Sequence, residues 1–303
     1  MNLKVRLENI ELQNPIITAS GTFGYGKEFE ELVDLNSLGG ICIKGTTLKE
    51  RDGNPMPRIF ETRAGMLNAI GFQNVGVDRF IAEKYPYLKK LKTKTFVNMT
   101  ANTIEEFGEL AKKLDKLDGI AGIEINISCP NIKAGGINMG TDPGMAAAVV
   151  KKVKENTSHH VMVKLTPNVT DITKIAKAVE EAGANSISLI NTLVGMAVDI
   201  ELKKPKIANV IAGLSGPAIK PVALRLTWEV AKTVNIPIVA MGGIENYKDV
   251  LEFLIVGATA VQVGTANLYN PGVTMEILRD LKKYMIENNI EDINELRGTF
   301  KVK

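Results

Sequence analysis

The sequence predicts an α/β fold, a (β/α)8 barrel with long βα loops over its C-terminal face. Three observations predict it. Eight short apolar, β-branched runs alternate with longer amphipathic segments, the pattern of a parallel sheet with crossover helices. No composition shift or Pro/Ser-rich linker divides the 303 residues, so 1–303 is expected to be a single domain. The end of almost every run carries a small or polar residue, and a TIM barrel gathers such ends on one face. A doubly wound open sheet is the alternative architecture.

Strands are expected near 15–19, 40–43, 95–98, 123–127, 161–165, 186–190, 237–240 and 260–263. Each is a short run rich in Val, Ile or Thr, of a length suited to a strand. Helices fit between them near 104–117, 143–156, 171–182, 219–234, 246–256 and 272–288. Their starts carry capping residues: Asn102 or Thr103, Thr141 with Asp142, and Thr170 with Asp171. Three long connections remain, at 44–94, 129–142 and 191–218. They mix Gly, Asn and Pro with Met, Ile and Leu, which favours ordered, functional loops over linkers.

Composition removes several function classes. Hydrophobic residues are 45% and charged residues 23%, with a net charge of +3 and 5% aromatics, so no basic face for nucleic acid is expected. The Lys groups at 89–94 and 151–154 stand beside acidic residues on helical stretches and read as solvated faces. No stretch approaches the ~18 apolar residues of a membrane span, and the N-terminal residues lack a signal-peptide core, so a cytoplasmic location is expected. Two cysteines hold neither a disulfide framework nor, by themselves, an iron–sulfur cluster.

The polar strand ends are Ser20 and Gly21, Lys44 and Gly45, Asn98, Asn126, Lys164, Asn191 and Thr192, Gly242 and Gly243, and Gly264 and Thr265. Singly, a lysine after a strand is most often a surface residue. Two lysines and three asparagines on one rim point to a site. The last two strands end in AMGGIEN (240–246) and VQVGTAN (261–267), where glycines let backbone N–H groups approach an anion. In barrels these two loops often bind phosphate, so a phosphorylated cofactor or substrate is expected; tight βα turns are the plainer explanation. GTFGYGKE (21–28) has the spacing of a P-loop but puts Glu28 where Ser or Thr must hold magnesium. No GxGxxG follows any strand, and no metal site is expected.

Only two histidines exist, His159 and His160, both before the fifth strand and so on the opposite face of the barrel. A histidine base is therefore excluded. Cys42, inside GICIK, reads as a packed strand residue. Cys129 leaves the fourth strand ahead of Pro130, which stops the ladder and projects the thiol from a stiff turn. From spacing alone it is equally well a buried structural cysteine or a catalytic base.

NISCPN (126–131), followed by IKAGGINMGTDP, closely resembles the active-site segment of class 1 dihydroorotate dehydrogenases. So do PRIFETRAGMLNAIGFQNVG (57–76) and INTLVGMAVDIELKKPKIANVIAGLSGPAIKPVAL (190–224), and the match extends from NPIITASGTFGYG (14–26) to AVQVGTAN (260–267). The GG…GTDP and ETRAGMLNAIG segments look like class 1B, the NAD-linked form. Phe72 stands where Leu is usual and Val75 where Pro is usual. Class 2 enzymes, with a serine base and a membrane-associating extension, resemble the chain less.

The resemblance implies one FMN in the barrel mouth. Ser20, Lys44, Gly45, Asn98, Asn126, Lys164 and Ile190 would contact its ring and ribityl parts, and Gly216, Gly242, Gly243, Gly264 and Thr265 its phosphate end. The substrate would lie against Lys44, Asn68, Ala69, Ile70, Gly71, Phe72, Asn126, Asn131, Asn191 and Thr192. The implied reaction is oxidation of dihydroorotate to orotate, with Cys129 taking the C5 proton. Electrons would pass to NAD through a partner subunit carrying FAD and a [2Fe–2S] cluster, in a heterotetramer built on a homodimer of barrels. A fumarate-linked class 1A enzyme, a dihydropyrimidine-type flavoenzyme, a Schiff-base lyase on Lys164 and a non-catalytic barrel are the alternatives.

Overall fold

The computed structural model describes residues 1–127, 133–134 and 137–302. Cys129 and Asn131 lie outside the described residues. Eight parallel strands close into a barrel in chain order: β1 Ile16–Thr18, β2 Gly40–Thr46, β3 Lys94–Met99, β4 Gly122–Asn126, β5 His160–Leu165, β6 Ser186–Leu189, β7 Ile238–Met241 and β8 Ala260–Val263. The ring closes where β8 pairs with β1, Val261 opposite Ile16. The predicted barrel is the observed one, and the open-sheet alternative falls. Strands β6, β7 and β8 are buried at every position, as expected of a parallel sheet covered on both faces.

Among the described residues, six amphipathic helices ring the barrel: α1 Ile104–Leu114, α2 Pro143–Lys154, α3 Ile172–Glu181, α4 Lys220–Ala231, α5 Tyr247–Ile255 and, after the short α6 Ala266–Tyr269, α7 Val273–Glu287. Capping fixes where they start. The Thr103, Asp142 and Asp171 side chains accept from backbone N–H groups of their own first turns, which resolves the paired cap candidates in favour of these three. Helix α5 has a full capping box, Asn246 with Asp249. Phe96, Phe107 and Phe253 are among the side chains fully buried in the core, each contributing roughly 1.5–3 kcal/mol over its exposed state.

Two additions were not expected. Val5–Leu7 and Ile10–Leu12 form an antiparallel hairpin that buries Val5, Leu7 and Leu12. Its turn residue Glu8 accepts from Asn185 Nδ2 and lies 3.9 Å from His160 Nδ1, so it sits at the N-terminal end of the barrel. At the other end, the connections 44–94 and 191–218 together build a four-stranded antiparallel canopy. Its order is Leu193–Gly195, Ala212–Ser215, Gly65–Asn68, Ile59–Thr62. The first connection also contributes a helical stretch running from Gly76–Arg79 through Phe80–Lys84 to Tyr85–Leu88. Among the described residues, no helix is long and apolar enough to cross a membrane.

Candidate active site

A cavity of about 460 Å³ opens at the C-terminal ends of the strands, under the canopy. Its volume falls in the range of small-molecule sites. Every polar strand end singled out in the sequence from Ser20 to Thr265 lines it, together with Ile190, Gly216 and the 68–72 segment. His159 and His160 do not; His160 opens β5 at the far end, its ring bonded to Ser186 Oγ at 2.7 Å.

The floor is a polar layer inside the barrel. Lys164, on β5, is 5% exposed and donates to Ser20 Oγ at 3.3 Å. Below them lies Glu124 on β4, fully buried, which sequence analysis passed over. Its carboxylate accepts from Asn98 Nδ2 (2.5 Å), Ser188 Oγ (2.8 Å), Gln262 Nε2 (2.8 Å), Ser20 Oγ (3.3 Å) and Cys42 Sγ (3.2 Å). Burial pushes the carboxyl pKa up, but Lys164 and the bonds from Gln262, Asn98 and Ser188 outweigh it and hold it below the usual range. Cys42, the packed strand residue expected, has its thiol pushed well up by burial and by Glu124. The signal for Glu124 was a lone charge between isoleucines in GIEIN, at a position where a buried strand admits only a paired group.

Two acceptors in this layer are left open, Gln262 Oε1 and Asn98 Oδ1. Asn98 Oδ1 is buried with no partner, while its Nδ2 is held by Glu124. A Cβ on Gly45, a cavity residue, would lie 3.0 Å from that oxygen, so it sits directly beneath the cavity lining. Lys44 adds positive charge to the wall; burial and then the nearby Arg58 lower its pKa.

The 68–72 segment presents donors. Gly71 and Phe72 both have positive φ, 76° and 55°. Behind them the carbonyl of Ala69 accepts from Asn54 Nδ2 (2.9 Å), and that of Ile70 from Asn54 N (3.0 Å) and Arg58 Nη1 (3.4 Å). The N–H groups of Ile70, Gly71 and Phe72 have no acceptor among the described residues. Successive amides of this kind form a concave nest for an anion. Gly71 has no substitute, since a Cβ there would lie 2.6 Å from Asn54.

Another wall is built on closely packed glycines. Gly243, at φ 72°, passes so close to Lys220 and the Gly216 carbonyl that a Cβ would lie 2.8 and 2.9 Å from them. Asp249 steadies this loop from behind. Its Oδ2 accepts from the N–H groups of Glu245 and Asn246, and its Oδ1 from Lys220 Nζ at 2.6 Å. Thr265 Oγ1 donates to Ser215 Oγ at 2.8 Å, tying the β8 loop to the canopy.

Residues 2–285 match the family model described as dihydroorotate dehydrogenase. The catalytic subunit of dihydroorotate dehydrogenase B (NAD(+)) from Geobacter sp. (strain M21) is 55% identical over 301 residues, covering 99% of both chains. The protein of that name from Desulforamulus reducens is 56% identical over 298 residues, covering 98% of both. That from Thermoanaerobacter sp. (strain X514) is 54% identical over 302 residues and covers both in full.

Proposed function

Since the chain belongs to the dihydroorotate dehydrogenase family, we propose that it is the FMN-bearing catalytic chain of an NAD-linked enzyme oxidising (S)-dihydroorotate to orotate in pyrimidine biosynthesis. The observation that carries this is the convergence on one cavity of a buried polar floor, an open amide nest beside Lys44, and a glycine-lined wall.

The residues present fit an FMN. The open Asn98 Oδ1 matches a ring N–H, Lys164 and Ser20 supply donors, and the Gly216, Gly242, Gly243, Gly264 and Thr265 wall would hold the phosphate. When bound, FMN supplies the acceptor at N5 for the hydride leaving C6 of the substrate. The chain's own residues do the rest. Lys44 and the Ile70–Phe72 amides bind the substrate carboxylate, and Asn68, Asn126, Asn131, Asn191 and Thr192 match the ring's amide groups. Cys129, from the segment after β4, removes the C5 proton. Lys164 places positive charge where reduction adds negative charge.

The name "catalytic subunit" on the relatives supports a second chain, and we assign FAD and a [2Fe–2S] cluster to it because the two cysteines of this chain cannot hold the cluster. The exposed apolar residues Val198, Ile200 and Leu202 beside the canopy support pairing of two barrels within that heterotetramer. The composition supports a cytoplasmic location.

The test is to record the visible spectrum of the purified chain and add dihydroorotate without oxygen. A yellow protein that bleaches within seconds is the expected result. A yellow protein that ignores dihydroorotate shifts the substrate, with dihydrouracil the next trial. A colourless protein that takes up no added FMN overturns the proposal.

A further inference from the structure

We propose that Glu124 is a positioning residue for the cofactor: its carboxylate, sealed beneath the cavity floor, orients Ser20 and Asn98 and offsets the charge of Lys164 at the flavin. This rests on the flavin reading of the cavity.

The two carboxylate oxygens face different neighbourhoods. Oε1 accepts from Ser188 and Gln262, neither of which lines the cavity. Oε2 accepts from Asn98 and Ser20, which both do, and from the buried Cys42. Ser20 Oγ gives its proton to Glu124 and accepts from Lys164 Nζ, so one hydroxyl bridges a buried anion and a buried cation.

A carboxylate only accepts, and that dictates its neighbours' orientations. Holding Asn98 by Nδ2 leaves Oδ1 unpartnered beneath Gly45, a cavity residue. Drawing the Ser20 proton downward leaves a lone pair for Lys164. Packing alone does not call for this arrangement, because buried ion pairs are often replaceable by apolar residues without loss of stability. The pair also sets the field at the cofactor. Reduction adds negative charge there; Lys164 favours it and Glu124 opposes it.

The experiment is the midpoint potential of the FMN-loaded chain, read by equilibration with a reference dye. Glu124→Gln keeps the shape and removes the charge, and is expected to shift the potential upward; Lys164→Met is expected to shift it downward. Ser188→Ala deletes a bond to the same carboxylate on the side away from the cavity. It is expected to lower Tm and leave the potential unchanged. A Glu124→Gln protein that behaves like Ser188→Ala, or whose potential falls, overturns the inference.

If Glu124→Gln does not fold, the wild-type chain decides. Glu124 is the only fully buried glutamate among the described residues. With ¹³C-labelled glutamate, the reduced-minus-oxidised infrared spectrum should carry an isotope-sensitive carboxylate band, and its absence overturns the inference. The two readings fail separately. A wild-type chain that binds no FMN defeats the flavin reading before any variant is compared. A flavin that is bound but indifferent to residue 124 defeats this inference alone.

Discussion

Lys44 holds a charge in surroundings that work against it. Burial first, and Arg58 second, lower its pKa from the ordinary lysine value. The ammonium is the form that would bind the carboxylate in the proposed role, so substrate affinity should fall as pH rises through a value below the usual ~10.4. The KM for dihydroorotate should therefore climb on an alkaline limb that begins early. Lys44→Met should abolish that limb and raise KM at neutral pH by roughly tenfold to a hundredfold, the worth of one charge-assisted bond. A wild-type KM flat up to the usual lysine range would count against this role. Cys129→Ala should stay yellow while anaerobic stopped-flow shows reduction by dihydroorotate slowed roughly 10²- to 10⁴-fold, the contribution of a general base. Reduction at full rate would remove Cys129 from the mechanism. At this scale the sequence disclosed the rim, because polar residues after apolar runs stand out one by one. Glu124 showed only as a lone charge in GIEIN, its partners lying on other strands, and the Asn54–Arg58 brace was hidden because the fold of the 44–94 connection that brings it to Ala69 and Ile70 leaves no local pattern.

Among elements, legibility followed the range of the interactions. Strands and capped helices were readable because their hydrophobic period and capping residues are local. The canopy was not: its central pairing joins Gly65–Asn68 to Ala212–Ser215, about 145 residues apart, through Gly- and Asn-rich segments with weak strand preference. The N-terminal hairpin was visible only as alternation. It meets the barrel at His160, whose pKa is lowered to about 4 by burial and then by Lys154. Below about pH 6.5 the unfolded chain takes up a proton that the folded chain refuses, so stability falls as pH falls, until about pH 4 where both carry it. That loss amounts to about 3 kcal/mol, and His160→Gln should flatten the stability curve across this window in urea titrations. An unchanged acid limb would place the ring in water. On the phosphate side, Asp249→Ala would strip the Glu245 and Asn246 amides of their acceptor and leave Lys220 paired with Glu252 alone. FMN affinity, read by fluorescence quenching, should drop at least tenfold; wild-type affinity would mean that the loop holds without it.

At the scale of the whole molecule, the question is where the electrons go. Accepting a hydride is useful only if the reduced cofactor is reoxidised, and the chain's inventory restricts how. A [2Fe–2S] cluster takes four ligands, commonly cysteines. This chain has two cysteines, and one of them, Cys42, is sealed inside the barrel on Glu124. Cys129 is already assigned the proton. No glycine fingerprint for a dinucleotide follows any strand. The isolated, FMN-loaded chain should therefore pass electrons from dihydroorotate to a small artificial dye but reduce NAD very slowly. Adding the partner subunit should restore NAD reduction without changing the rate of the dihydroorotate half-reaction, since the proposed function puts that chemistry within the barrel. The check is a pair of steady-state assays, dye and NAD, on the chain alone and on the reconstituted complex. Rapid NAD reduction by the chain alone would show that it carries its own nicotinamide site, and the division of labour between two subunits would have to be abandoned.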